Sequence, residues 1–196
     1  KQIIVAGGST ATPNALATPA LVDLDSDGDV DFAYAGDLLG NMWKFNLSAN
    51  NPSSWGVAFG SPSSPQPLFV ATDSGGTPQP ITSAAEVTRH FSGDGYQLYF
   101  GTGKYLEATD IATTSQQTFY SIWDKEISPT TISGRGDLQE QTVTTTVSAS
   151  GNLYRTTSAN PVAWDAPVVA GGTKRGWFMD LPFSGERSVS KSTLYG

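Results

Sequence analysis

An all-β fold made of many short strands is what this sequence predicts, and three observations carry the prediction. Charged residues make up only 15% of the chain, while Gly (21) and Pro (12) are plentiful, a mixture that suits strands joined by turns. No long stretch keeps a clean helical period of apolar positions. The aromatic residues instead fall in alternating runs bounded by Gly, Pro and Asn, as in Met42-Trp43-Lys44-Phe45-Asn46-Leu47, which is how half-buried strands read.

Composition also bounds function. At 196 residues the chain is long enough for one sizeable core, or a large part of one. A net charge of −7 speaks against nucleic acid or an anionic membrane as partner. The absence of cysteine excludes disulfides and thiolate metal sites. No apolar run approaches the roughly 18 residues of a transmembrane segment. Lys1-Gln2-Ile3-Ile4-Val5-Ala6-Gly7-Gly8 reads as a strand entering a turn, without initiator Met or signal peptide. Residues 188–196 alternate like a strand and stop without a closing turn. The expectation is a piece of a larger secreted protein.

The first element of chemistry is Asp23-Leu24-Asp25-Ser26-Asp27-Gly28-Asp29-Val30-Asp31. Acidic residues stand at loop positions 1, 3, 5, 7 and 9, with glycine at position 6. A hard cation such as Ca²⁺ takes six to eight oxygens at about 2.3–2.6 Å, and this alternation turns carboxylates toward one centre. Gly28 permits the sharp turn. Asp23, Asp25, Asp27 and Asp31 offer side chains and Asp29 its carbonyl. An EF-hand is not expected, because position 12 is Tyr34 rather than Glu. The flanks, Thr18-Pro19-Ala20-Leu21-Val22 and Phe32-Ala33-Tyr34-Ala35-Gly36, read as strands. Such a strand–loop–strand calcium site is similar to the repeats of propeller proteins.

Further along, Gly40-Asn41 makes a tight turn into the strand from Met42, with Trp43, Phe45 and Leu47 on a buried face and Met42, Lys44 and Asn46 on a wetter one. Gly151-Asn152-Leu153-Tyr154-Arg155 is a fainter copy of that hairpin. Residues 48–80 are rich in Pro, Ser, Asn and Gly and read as a loop-rich insertion with one strand around 68–72. Residues 81–91 and 96–101 form a hairpin through Gly93-Asp94-Gly95. An aromatic strand follows at 117–124, then a second loop-rich insertion at about 126–160, within which the Thr-rich 142–146 is extended. A last aromatic strand runs from Gly176 to Leu181. Propeller blades take about 40–50 residues each, so roughly four fit the chain and a closed ring of seven does not.

Taken together, these blocks resemble the C-terminal propeller domain of the PilC/PilY family of type IV pilus tip-associated adhesins and assembly factors. The resemblance rests on the acidic loop running into Tyr34-Ala35-Gly36-Asp37-Leu38-Leu39-Gly40-Asn41-Met42-Trp43-Lys44-Phe45; on Ile81-Thr82 with Glu86-Val87; on Tyr99-Phe100-Gly101-Thr102-Gly103-Lys104-Tyr105-Leu106; on Phe119-Tyr120-Ser121-Ile122-Trp123-Asp124; and on Gly176-Trp177-Phe178-Met179-Asp180-Leu181-Pro182 with Gly185-Glu186-Arg187. It implies that residues 1–196 are part of one modified or partial β-propeller domain. It further implies bound Ca²⁺ on Asp23, Asp25, Asp27, Asp29 and Asp31, and calcium-dependent control of pilus extension against retraction. The implied partners are minor pilins of the pilus tip complex. The implied location is the bacterial cell surface or pilus tip, outer membrane-associated or secreted.

Other motifs carry less. Arg135-Gly136-Asp137 is a tripeptide integrins read, and Gly134 with the preceding Ser and Thr predicts a turn there, so it is a candidate adhesion motif. His90 is the sole histidine and reads as structural, and no Gly-x-Ser-x-Gly elbow supports a hydrolytic triad. Gly101-Thr102-Gly103-Lys104 fails the spacing of a phosphate loop. The Trp residues read as packing. A non-enzymatic module is therefore expected. The alternatives are a quinoprotein-dehydrogenase-like propeller enzyme, which would show a quinone spectrum, and an FG-GAP-type surface adhesin, which would carry several acidic loops.

Overall fold

The computed structural model describes residues 1–5, 7–127, 129–147, 150–164 and 173–195. Its strands are β1 (Ala20–Val22), β2 (Phe32–Gly36), β3 (Asn41–Asn46), β4 (Gly56–Val57), β5 (Phe59–Ser61), β6 (Ser64–Gln66), β7 (Phe69–Val70), β8 (Glu86–Arg89), β9 (Tyr96–Gly101), β10 (Thr118–Asp124), β11 (Gln139–Gln141), β12 (Val143–Val147), β13 (Leu153–Thr157) and β14 (Gly176–Asp180). Helix is confined to three short 3-10 turns among the described residues, as the missing helical period predicts. None is long and apolar enough to cross a membrane.

Among the described residues the strands form four sheets. The first sheet orders β1-β2-β3-β4, with β7 also on β3, and the second orders β11-β14-β10-β9-β8. The other two are the ribbons β5-β6 and β12-β13. Both expected hairpins form: β2 with β3, and β8 with β9. Residues 48–80 hold four short strands rather than one. Among the described residues, 1–8 and 188–195 lie in no strand. Alternation makes a strand only where an edge is open to it, and Ser188 N–H instead donates to the Thr102 carbonyl at 3.0 Å.

The main core lies between the two five-stranded sheets. Tyr34, Met42, Leu68, Phe69 and Ile81 meet Leu98, Phe100, Tyr120, Ile122 and Phe178 there. The Phe69 ring sits edge-on to Tyr120 with centroids 5.1 Å apart, the offset aromatic geometry favoured in interiors. Each such side chain contributes about 1.5–3 kcal/mol on burial. A smaller cluster covers the opposite face of the first sheet. There the small residues Ala33 and Ala35 of β2 stand directly opposite Phe45 and Trp43 of β3, so large rings fill the space the methyl groups leave.

Burying both faces of β3 corrects one expectation. Met42 and Lys44 are buried rather than wet, Lys44 at 5% exposure, because the second sheet covers that face. Gly36 is required by close packing on the segment before the second sheet: a Cβ there would stand 2.2 Å from Ile81 Cγ2.

The Gly36–Trp43 block owes its form to one carboxylate. Asp37 is fully buried. Its Oδ1 accepts from the N–H groups of Leu39 and Asn41, both at 2.9 Å. Its Oδ2 accepts from Asn14 Nδ2, Asn41 Nδ2 and Trp43 Nε1, each at 2.8 Å. Five donors balance the desolvation of the charge, and Gly40, at φ +82°, reverses the chain around it.

Candidate metal loop and its surroundings

Between β1 and β2 the acidic loop folds on its own carboxylates. Asp23 Oδ1 accepts from Ser26 N–H at 2.6 Å and its Oδ2 from Gly28 N–H at 2.9 Å. Asp25 Oδ1 accepts from Asp27 N–H at 3.2 Å, and Asp27 Oδ1 from Asp29 N–H at 2.8 Å. These are the side-chain-to-backbone turns that aspartates favour. At the closure, Asp31 Oδ2 accepts from Leu24 N–H at 2.7 Å, and Asp31 N–H donates to the Val22 carbonyl at 2.9 Å.

Carboxylate oxygens of Asp23, Asp25 and Asp27 lie within 4.8 Å of one another, and all three residues are exposed. Oxygens about 2.4 Å from a common centre can be no more than about 4.8 Å apart, and these three carboxylates meet that limit. Asp29 and Asp31 lie outside that cluster. Asp29 is expected to offer only its carbonyl, and Asp31 is engaged in closing the loop. Gly28 is needed for a reason other than space. Nothing lies within 4 Å of where its Cβ would be, and its φ of +98° is what disfavours a side chain.

The loop rests against the second sheet. Arg89 of β8 reaches the Leu24 carbonyl with Nη2 at 3.4 Å and Glu126 Oε2 with Nη1 at 3.0 Å. Behind the loop lies a buried polar knot that sequence reading missed. Lys44 Nζ stands 2.6 Å from Asp124 Oδ2, and Tyr34 Oη donates to the same oxygen at 2.6 Å. Burial, then the Asp124 charge, drives the Tyr34 phenol far above its usual range, so it remains a donor. The Phe32 ring lies 4.2 Å from Lys44 Nζ, one residue beyond Asp31.

The tripeptide at 135–137 forms a 3-10 turn. Arg135 is committed to the fold: Nη1 and Nη2 donate to the two Asp180 oxygens at 2.9 and 2.6 Å, and the guanidinium carbon lies over the Phe178 ring, 3.9 Å from its centroid. Asp137 Oδ2 accepts from Ser133 N–H at 2.8 Å. His90 is buried and stacked on Trp123 with centroids 4.0 Å apart, a structural placement. At Gly101 and Gly103 an added Cβ would meet Ser188 and Arg187, so those glycines admit the C-terminal segment rather than a phosphate.

Comparison with known proteins gives the family. The model of the PilY1 beta-propeller domain matches residues 1–172. The chain belongs to the PilY1 β-propeller family. The type IV pilus biogenesis factor PilY1 of Pseudomonas aeruginosa PAO1 is 38% identical over 206 residues, covering 91% of this chain and 17% of that protein. A PilY1 homolog of Xylella fastidiosa is 38% identical over 189 residues, covering 93% and 12%. The crystal structure of the Pseudomonas aeruginosa PilY1 C-terminal domain superposes with a TM-score of 0.76 at 37% identity, over 94% of this chain and 43% of that one. The chain thus spans less than a fifth of the curated PilY1 relatives it matches. Its fold is all-β, a partial PilY1-type propeller with open sheets.

Proposed function

We propose that this chain is a non-enzymatic, calcium-binding module of a type IV pilus-associated surface protein, part of one C-terminal PilY1-like propeller domain. The observation that carries the reading is the meeting of three carboxylates within 4.8 Å in a loop between strands, in a chain whose relatives are named pilus biogenesis factors. Ca²⁺ is favoured over Mg²⁺, because a flexible carboxylate loop suits the larger ion while Mg²⁺ demands a rigid octahedron and keeps its waters. Occupancy of the loop by Ca²⁺, held by Asp23, Asp25, Asp27, Asp31 and the Asp29 carbonyl, then biases pilus extension against retraction, and with it twitching motility. The partners are minor pilins at the tip, at the cell surface. Adhesion through Arg135-Gly136-Asp137 is not part of this reading, since the guanidinium is already held by Asp180.

Calorimetry of the chain with Ca²⁺ and Mg²⁺ tests the first half, with an expected Ca²⁺ Kd on the order of 10⁻⁶ to 10⁻⁴ M. Absence of Ca²⁺ binding at millimolar concentration would end it. The second half is tested by surface pilus levels in bacteria whose full-length parent carries Asp27→Ala, in strains with and without the retraction motor. Loss of pili only where the motor is present is expected. Wild-type levels with a folded, secreted variant would reduce the loop to a structural feature.

A further inference from the structure

Leu24 stands between two candidate ligands and is held by its N–H, its carbonyl and its side chain. Its N–H donates to Asp31 Oδ2. Its carbonyl accepts from Arg89 Nη2, a residue of the other sheet. Its side chain packs on the main core, as does Val87 of β8. Arg89 is itself fixed: Nη1 donates to Glu126 Oε2, the guanidinium lies 4.8 Å from the Tyr96 ring, and Glu126 N–H is tied to Asp94 Oδ1 at 2.9 Å. The Tyr96 phenol is raised first by burial. Arg89 opposes that rise, while Glu126, Asp31 and Asp23 add to it. The Leu24 carbonyl, between Asp23 and Asp25 in the chain, is thus the point at which the Arg89–Glu126 pair meets the loop.

We propose that Arg89 is the resident counter-charge of the acidic loop, with Glu126 moderating it, and that this pair sets how tightly the loop takes a divalent cation. The inference rests on the cation-binding reading above and names the residues that tune it. A guanidinium held at the Leu24 carbonyl, within an acidic loop, offsets the carboxylates' repulsion while no cation is bound and repels the cation that arrives. Glu126 cancels part of both effects. Arg89 and Glu126 side chains are 49% and 40% exposed, so the influence is screened by water and salt and amounts to a tuning rather than a switch. Because Arg89 comes from β8, the second sheet is also the element that feels occupancy of a loop in the first.

The test uses the intact chain with Arg89→Gln, Glu126→Gln and the double variant, each shown folded by circular dichroism. Calorimetry with CaCl₂ at low salt should show Arg89→Gln binding about threefold to tenfold tighter and Glu126→Gln weaker by a similar factor. The double variant should return near wild type, and about 0.5 M salt should compress all the differences. Melting in chelator should place Arg89→Gln below wild type at low salt, with the gap narrowing at high salt. If wild type binds Ca²⁺ while both single variants stay within about twofold of it, or shift the same way, this inference is overturned and the cation reading stands. If wild type takes no Ca²⁺, the cation reading fails and the tuning with it. The chelator melts then decide the counter-charge alone, and an unchanged Arg89→Gln overturns that too.

Discussion

Tyr34 and Asp124, ninety positions apart in the chain, are joined by a 2.6 Å hydrogen bond inside the interface of the two large sheets. Lys44 completes the contact from the strand paired with that of Tyr34. Apolar packing supplies most of the attraction between the sheets but is tolerant of sliding. A buried ion pair with a hydroxyl on the same oxygen ties β2 and β3 to β10 at a directional contact.

Removing one partner should therefore cost more than removing both. Lys44→Met strands the Asp124 carboxylate in a dry interface and should destabilise by about 3–5 kcal/mol. Lys44→Met combined with Asp124→Leu should recover part of that loss, since no charge is left buried, although the Tyr34 hydroxyl then lacks its acceptor. Urea denaturation of the four proteins in a double-mutant cycle reads the coupling directly. Additive losses would mean that the pair contributes no specific term.

Within the loop, Asp27 and Asp31 should separate metal binding from loop closure. Both Asp27→Ala and Asp31→Ala should abolish the rise in Tm that Ca²⁺ gives wild type by mass action. In chelator the two should differ. Asp31→Ala also loses the part-buried bond to Leu24 N–H and should fall by about 1 kcal/mol, whereas the Asp27 bond to Asp29 N–H is exposed and should matter less. Chelator melts of both variants check the order.

Asp110 should make stability pH-dependent at the acid end. It is 2% exposed, and its Oδ2 accepts from the N–H groups of Leu106 and Glu107 at 2.8 and 3.0 Å. These bonds, more than nearby Lys104, hold its carboxyl below the usual aspartate range. A depressed folded value means that the contribution is complete above about pH 3.9 and is lost as pH falls through the lower folded value. Asp110→Asn should thus melt below wild type at neutral pH, with the two curves converging under strong acid. Calorimetric Tm against pH would reveal a constant gap if this account is mistaken.

Arg135→Ala should lower stability by about 1.5–3 kcal/mol, the range for hydrogen bonds to a charged partner. Arg135→Lys should recover little of it. An ammonium cannot span both Asp180 oxygens and at the same time cover the Phe178 ring as the guanidinium does. Denaturant midpoints for wild type, Ala and Lys variants measure this.

How much of this was legible beforehand depended on the range of each interaction. The acidic loop could be read as a loop between two strands because its carboxylates are neighbours and its glycine needs only local backbone geometry. The hairpins at Gly40-Asn41 and Gly93-Asp94-Gly95 were legible for the same reason. The Asp37 block could be read as a turn, but its fifth donor comes from Asn14, 23 positions earlier. Lys44 sits in a strand whose alternation places it on the wetter face, and only a second sheet built from residues 86–180 makes that face dry. No property of the strand itself records what will cover it. Arg135 was the opposite case: the tripeptide is conspicuous locally, while the partner that engages it lies 45 positions away.

That last contact bears on how cell-binding experiments with this protein are designed. A synthetic peptide spanning Arg135-Gly136-Asp137 would display an arginine that the folded chain keeps against Asp180 and Phe178. Heat-treated, surface-adsorbed or proteolysed preparations would display it too. Receptor capture by such material would report a cryptic epitope released by denaturation, so the natively folded domain and its Arg135→Lys variant are the controls on which any attachment assay turns.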